Sequence, residues 1–330
     1  MSLRIIKNGI LDTIQDEGRY GYQHSGINPG GAMDSIAMRV ANMLAGNDVD
    51  EAVIEMHFPA AEIEFEATAL IALAGADLSA SVNGEAVPVL HPIIMQKGSI
   101  LHFDKRETGS RVYLAVKGGF VADDWLNSKS THLKVKAGGL NGRALQKNDR
   151  ILLKQKYPPI IPGKIQSFKI LPWYAKTSDL YATNIIRFIP GNEYSILDDE
   201  SKQTLEKENM VISRESDRMG YRLLSETLQV INKKEMISSA VTRGTMQLLP
   251  GGDLIILMAD HQTTGGYPRI GHMISADIPS LAQMQAGDKF SLQQISLANA
   301  ERSLLTQEMN LQQLQIACNF RLKEYFTTIK

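Results

Sequence analysis

Hydrophobic and polar positions alternate in short bursts along most of this chain, and glycine, proline, asparagine or aspartate ends each burst within a few residues. That rhythm predicts strands over residues 3–6, 53–56, 69–73, 111–116, 151–153, 165–171, 185–189, 253–258 and 289–295. A different period appears at Ile36, Ala37, Val40, Ala41 and Leu44, which fall on one helical face, with Asp34 as N-cap and Gly46 just past the end. A second, polar helix is predicted over residues 201–208. From Leu297 onward there is no glycine or proline, so a long C-terminal helix is expected. Its apolar stripe is Leu304, Leu305, Leu311, Leu314, Ala317 and Phe320, with Met309 and Cys318 as apolar filler. The stripe either packs against its own protein or meets a partner.

The pattern gives a mainly β fold with a few helices, arranged as two β-rich lobes plus the C-terminal helix. Three prolines in the seven residues from Tyr157 to Gly163 resist both helix and central strand, which places a boundary there. The expected units are residues 1–157, 158–296 and 297–330. A length of 330 residues suits about two such cores.

Charge then narrows the function. Lys and Arg number 35 against 36 Asp and Glu, a formal balance of −1, which argues against a phosphate-backbone binder. Cys318 is the only cysteine, so no internal disulfide, CxxC pair or cysteine-based zinc site can form, and a reducing cytoplasm is the natural compartment. The first twenty residues offer no signal-peptide core, and the longest apolar runs fall far short of the ~18 residues of a spanning helix, so a soluble protein is expected. No P-loop, H-E-x-x-H or G-x-S-x-G occurs, and the seven histidines are scattered without metal-ligand spacing. No metal site is expected, and ATP or biotin chemistry would need a domain on another chain.

Three polar, glycine-dense clusters remain. The first, Thr13 to Asp34, holds five glycines between Gly18 and Gly31 and runs into the first helix. Its backbone N–H groups suit a carboxylate, with Asp16 and Arg19 as substrate-binding candidates; alternatively it is a structural loop in which those two pair with each other. The second runs from Ser213 to Leu223, with three arginines and two acids in nine residues; Asp217 and Arg218 either bind substrate or belong to a surface charge ladder. The third joins Val241 to Asp253 with a strand that delivers Asp260, His261, Gln262, Thr263 and Thr264 into a Gly-Gly-Tyr-Pro turn. There His261 is a proton-transfer candidate, and Gln247 and Gln262 are donors for a developing oxyanion.

Gln15-Asp16-x-Gly18-Arg19-x-Gly21-Tyr22-Gln23-His24-x-Gly26, Gly30-Gly31-Ala32-Met33-Asp34, Ser216-Asp217-Arg218-Met219-Gly220-Tyr221-Arg222-Leu223 and Asp260-x-Gln262-Thr263-Thr264-Gly265-Gly266-Tyr267-Pro268 together resemble the family of 5-oxoprolinase C-type subunits. This is the KipA or allophanate-hydrolase-subunit-2 type, similar to one half of the carboxyltransferase part of urea carboxylase. The resemblance runs from about Leu3 to Ile295. It implies a cyclophilin-like β-barrel in the second lobe, a B-type (KipI-like) partner subunit and an A-type hydrolase subunit. Together these open 5-oxoproline to glutamate with ATP. It further implies that Asp217, His261 and Gln262 act as catalytic groups, and that Arg218, Tyr221, Gln247 and Tyr267 face substrate. Asn127-Ser128-Lys129-Ser130-Thr131 stands where the family usually reads Gly-Ser-Arg-Ser-Thr. Two other functions fit the same resemblance: a biotin-dependent carboxyltransferase subunit, with biotin on another protein, and a non-catalytic antagonist of a KipI-type kinase inhibitor.

Overall fold

Asp34 shows how closely local chemistry sets the elements. In the computed structural model, which describes residues 1–154, 167–182, 184–231 and 236–328, its carboxylate accepts a hydrogen bond from the Ala37 N–H at 2.9 Å and opens the helix Ser35–Ala45. Gly46 ends that helix in the left-handed region at φ 70°, which a side chain would resist. The cap is fully buried, and its own N–H donates to the Tyr113 hydroxyl, which in turn donates to the Glu55 carboxylate at 2.8 Å. The helix N-terminus is thus filled by a protein carboxylate. Replacing Asp34 by Ala is expected to cost about 1 kcal/mol from the cap alone, read as a lower denaturant midpoint at unchanged slope.

The described residues divide into two units: those within 1–19, 34–177 and 310–328 form one, and those within 20–33 and 178–309 the other. The proline-rich segment expected to mark a boundary lies outside the described residues.

The first unit is a sandwich of two six-stranded sheets. One runs Arg150–Leu152, Ser2–Lys7, Glu62–Phe65, Ile100–Phe103, Ala80–Val82, Glu85–Ala86; the other runs Phe168–Ile170, Pro92–Met95, Ala69–Asp77, Thr108–Val116, Val53–His57, Thr13–Gln15. Alternation along each strand sends Leu3, Ile5, Ile63 and Leu101 from one sheet into the same buried cluster as Ile54, Ile71, Leu73 and Val112 from the other. Burial of such side chains contributes roughly 1.5–3 kcal/mol each before entropy is charged against it.

Seven strands close the barrel of the second unit, in the order Ile185–Pro190, Arg269–Met273, Thr245–Leu248, Leu254–Leu257, Gly220–Leu224, Asn209–Ile212 and Lys289–Gln294. Closure removes the unpaired sheet edges. Its ring joins through Ile185–Pro190 and Lys289–Gln294, which pair in parallel while the other pairs are antiparallel. Phe188, Met210, Leu223, Met246, Ile256 and Phe290 fill the interior. The mainly β expectation and the barrel are therefore what the chain forms.

Several predicted elements extend differently. The polar helix is Asp199–Lys207, capped by Asp198, and a short helix Ile278–Ala282 adds to those the sequence predicts. The C-terminal helix spans Leu297–Thr328, but its expected stripe is corrected: Leu304, Leu305, Ala317 and Phe320 are exposed, and Leu311, Cys318 and Leu322 are its buried apolar positions. Met309, expected as filler, is exposed as well. Leu322 packs with Leu70, Ile94 and Leu171 in the first unit, while Gln307 donates to the Leu180 and Ala276 carbonyls in the second. Among the described residues no helix is long and apolar enough to cross a membrane.

Candidate functional site

Three neighbouring barrel strands present one outward face. In Gly220–Leu224 the side chains of Tyr221 and Leu223 join the barrel core, so the strand period turns Arg222 the other way. Register sets Arg222 opposite Ile255, and Ile255 opposite Gln247. Gln247 points outward because Met246 and Leu248 on either side point in. Even so it is only 1% exposed. Part of the cover is Gly265, in the short ladder of Ser239–Ala240 with Thr264–Gly265, which lies so close that a Cβ would fall 2.4 Å from Gln247 Nε2. Glycine is needed there for close approach, whatever its backbone angle.

These groups line a cavity of about 470 Å³ together with Asp253, Gln262 and Tyr267. Gln262 Nε2 donates to Gln247 Oε1 at 3.3 Å, which leaves Gln247 Nε2 with no hydrogen-bond partner among the described residues. A buried amide donor left unmade costs about 1–3 kcal/mol, a cost that a ligand carbonyl or oxyanion would recover. Arg222 brings a cation, weakly shared with Glu215 at 3.6 Å in an exposed pair that solvent screens. Chemically, the lining brings two glutamine amides, an arginine, an aspartate and an aromatic ring around one small ligand.

Of the sequence candidates, Gln247, Gln262 and Tyr267 line this cavity, and the others lie elsewhere. His261 is buried and its Nδ1 lies 2.5 Å from the Gln262 carbonyl, which can only accept, so Nδ1 carries the proton. Burial pushes this imidazole below its ordinary pKa; the hydrogen bond to Gln262 opposes that, and the Arg243 charge adds to it. His261 thus fixes the backbone beside Gln262 as a neutral ring. Arg218 is buried with its guanidinium on the Asp260 carboxylate at 2.8 and 3.2 Å and on the Gly31 carbonyl at 2.7 Å. Arg243 holds the neighbouring Ala32 and Met33 carbonyls. Both arginines therefore fasten the glycine-rich segment to the barrel.

Asp217 is exposed and caps a turn, its Oδ1 accepting from the Met219 and Gly220 N–H groups at 2.7 and 3.2 Å. Tyr221 sits in the barrel core and donates to the Met284 carbonyl at 3.4 Å. In the first unit, Asp16 accepts from Gly18 N, Ser128 Oγ, Lys129 N and Ser130 Oγ at 2.5–2.8 Å. Arg19 donates to the Ser130 carbonyl and lies 4.9 Å over the Trp125 ring. Asp16 and Arg19 are thus gathered on the stretch from Ser128 to Ser130, one of the places where the sequence departs from the family pattern.

Arg222 is the cationic lining residue missing from the sequence candidates, which name Arg218 instead. A period-2 reading of residues 220–224 finds it, since Tyr221 and Leu223 are apolar and Arg222 falls between them.

The chain matches the family model described as carboxyltransferase domain, subdomain A and B, over residues 25–294. It is 37% identical over 313 residues to a 5-oxoprolinase C-type subunit of Escherichia coli (strain K12), covering 94% of this chain and 97% of that relative. A second relative of the same name, from Haemophilus influenzae, is 33% identical over 92% of this chain and 94% of its own length. Among solved structures, the K. lactis urea amidolyase superposes with a TM-score of 0.86 over 95% of this chain at 24% identity, a likeness of fold. The chain spans only 20% of that larger protein. By the extent of the family match and by its full-length likeness to C-type subunits of 5-oxoprolinase, this chain belongs to the carboxyltransferase subdomain A and B family.

Proposed function

We propose that this chain is the C-type subunit of an ATP-dependent 5-oxoprolinase, acting with A-type and B-type (KipI-like) subunits, and that the Arg222–Gln247–Gln262–Tyr267 cavity receives 5-oxoproline. The observation that carries this reading is the buried, unpartnered Nε2 of Gln247. A lactam presents a C=O and an N–H side by side, and a glutamine pair presents the matching donor and acceptor. In this reading Gln247 Nε2 donates to the lactam oxygen, Gln262 Oε1 accepts from its N–H, Arg222 holds the carboxylate and Tyr267 packs on the ring. Negative charge grows on the lactam oxygen during activation, and a preorganised donor is most valuable there. His261 acts as a positioning residue through Gln262. With Arg222 as the one cation among the described residues that line the cavity, a triphosphate is poorly served there, so ATP is assigned to the assembled complex.

The names of the E. coli and H. influenzae relatives support the subunit reading. Its test is turnover of 5-oxoproline by the three subunits with ATP. Omitting this chain is expected to abolish turnover; unchanged turnover sinks the proposal. Replacing Arg222 by Met removes a charge-assisted contact of about 1.5–3 kcal/mol, so KM is expected to rise ~10- to 150-fold with kcat little changed in steady-state kinetics.

A second reading is favoured by the family match itself: a carboxyltransferase acting on biotin carried by another protein. The ureido ring also pairs a C=O with N–H groups, so the glutamines would serve it equally well. Co-purification of a biotinylated subunit, with 5-oxoproline left unturned, would select this reading. A regulatory antagonist of a KipI-type inhibitor would keep its function in Gln247 variants.

A further inference from the structure

The C-terminal helix carries a second apolar stripe, on the side away from Gln307, Leu311, Cys318 and Leu322. Leu305, Met309, Ile316 and Phe320 fall within ~60° of arc at ~100° per residue. All four are exposed, Leu305 at 65% and Ile316 at 70%. Their spacing is symmetrical. Leu305 and Phe320, and Met309 and Ile316, lie at equal distances on either side of the midpoint between Gln312 and Gln313.

We propose that this stripe is the contact of a two-fold homodimer, in which a second copy of the helix packs antiparallel across Gln312 and Gln313. An isologous contact requires that residue i meet j while j meets i, and the stripe satisfies this. Leu305 faces Phe320 of the other copy, and Met309 faces its Ile316. Charge agrees with the same register. Glu301 and Arg302 precede the stripe, and Lys323 and Glu324 follow it. In the antiparallel pair Glu301 falls beside Lys323 and Arg302 beside Glu324, each on its own side of the seam, so the two-fold makes four opposite-charge contacts. Parallel pairing would set each of these groups beside its own like charge. Glu324 already has an exposed contact with Arg321 at 3.1 Å, weak enough to be shared. The stripe spans ~22 Å of helix, a small interface, so the dimer is expected in the micromolar range.

Sedimentation velocity on the full chain from ~1 to ~100 µM tests this, since micromolar affinity populates dimer within that range. Ile316→Glu is expected to leave a monomer across the range, with thermal unfolding unchanged because the position is exposed. Lys323→Glu is expected to raise Kd at least ~10-fold, and adding Glu301→Lys to bring it back, because the swapped pair restores opposite charges. A monomer at all concentrations overturns the proposal, as does a dimer indifferent to Ile316→Glu. It is equally overturned if Ile316→Glu abolishes binding of another subunit while the homodimer persists, for then a different protein covers the stripe.

Discussion

Replacing Gln247 by Met is expected to lower kcat/KM of the assembled enzyme for 5-oxoproline by ~10²- to 10³-fold, the loss typical when one oxyanion donor is removed. Methionine fills nearly the same volume beside Gly265, so the fold should hold and the midpoint of thermal unfolding should move little. The fall should appear mainly in kcat, because the donor is used most fully when charge has developed on the lactam oxygen. Gln247→Glu should be worse still, since it sets a carboxylate against that charge. Gly265→Ala offers a second route to the same end: its Cβ would fall 2.4 Å from the amide nitrogen, which would have to move. Activity unchanged in Gln247→Met would remove the cavity from the mechanism.

How much of this could be read from the sequence depends on where each residue sends its side chain. Strands with β-branched, two-sided apolar runs, such as Ala69–Asp77 and Thr108–Val116, are legible because both of their faces are covered. Gly220–Leu224 and Thr245–Leu248 are absorbed into charged and glycine-rich clusters, because each carries a polar residue outward among turn-forming neighbours. The same ambiguity exchanges the arginines. Arg218 stands beside Asp217 in the motif and reads as a substrate group, yet tertiary packing gives it to Asp260; Arg222 looks like one more surface charge until strand register places it in line with Gln247. The C-terminal helix is legible from the absence of breakers. Its buried face is not, because two apolar stripes occupy opposite sides and only the packed structure selects Leu311, Cys318 and Leu322. The first glycine cluster shows the converse. Its Asp16 reads as a choice between ligand and scaffold, and its carboxylate oxygens accept from Ser128, Lys129 and Ser130, residues more than a hundred positions away.

The largest expected stability effect lies at Asp12, whose side chain is 1% exposed in the first unit. Burial pushes its carboxyl up to about 7 from 3.8, against the opposing pull of the Gly9, His57 and Ala61 backbone groups. In the unfolded chain the group ionises near its ordinary value, so between about pH 4 and 7 the folded state holds a proton that the unfolded state has released. The stability contributed by that proton is therefore full below pH 4, falls as pH rises, and is gone above pH 7. The shift corresponds to a penalty on the order of 4 kcal/mol once both states are ionised. Carboxylates held low by arginines, such as Asp149 and Glu193, push the other way over the acid range, so the raw stability curve mixes the two. Asp12→Asn separates them, because it keeps an oxygen for the Gly9 N–H, which donates to Asp12 Oδ2 at 3.0 Å, and carries no charge. Denaturant unfolding at pH 4, 6 and 8 should show the variant gaining on the parent protein, from near zero at the lowest pH to ~4 kcal/mol at the highest, with equal slopes throughout. A difference that does not change with pH would mean that Asp12 is ionised in the folded protein across the whole range, with the nearby backbone donors outweighing its burial.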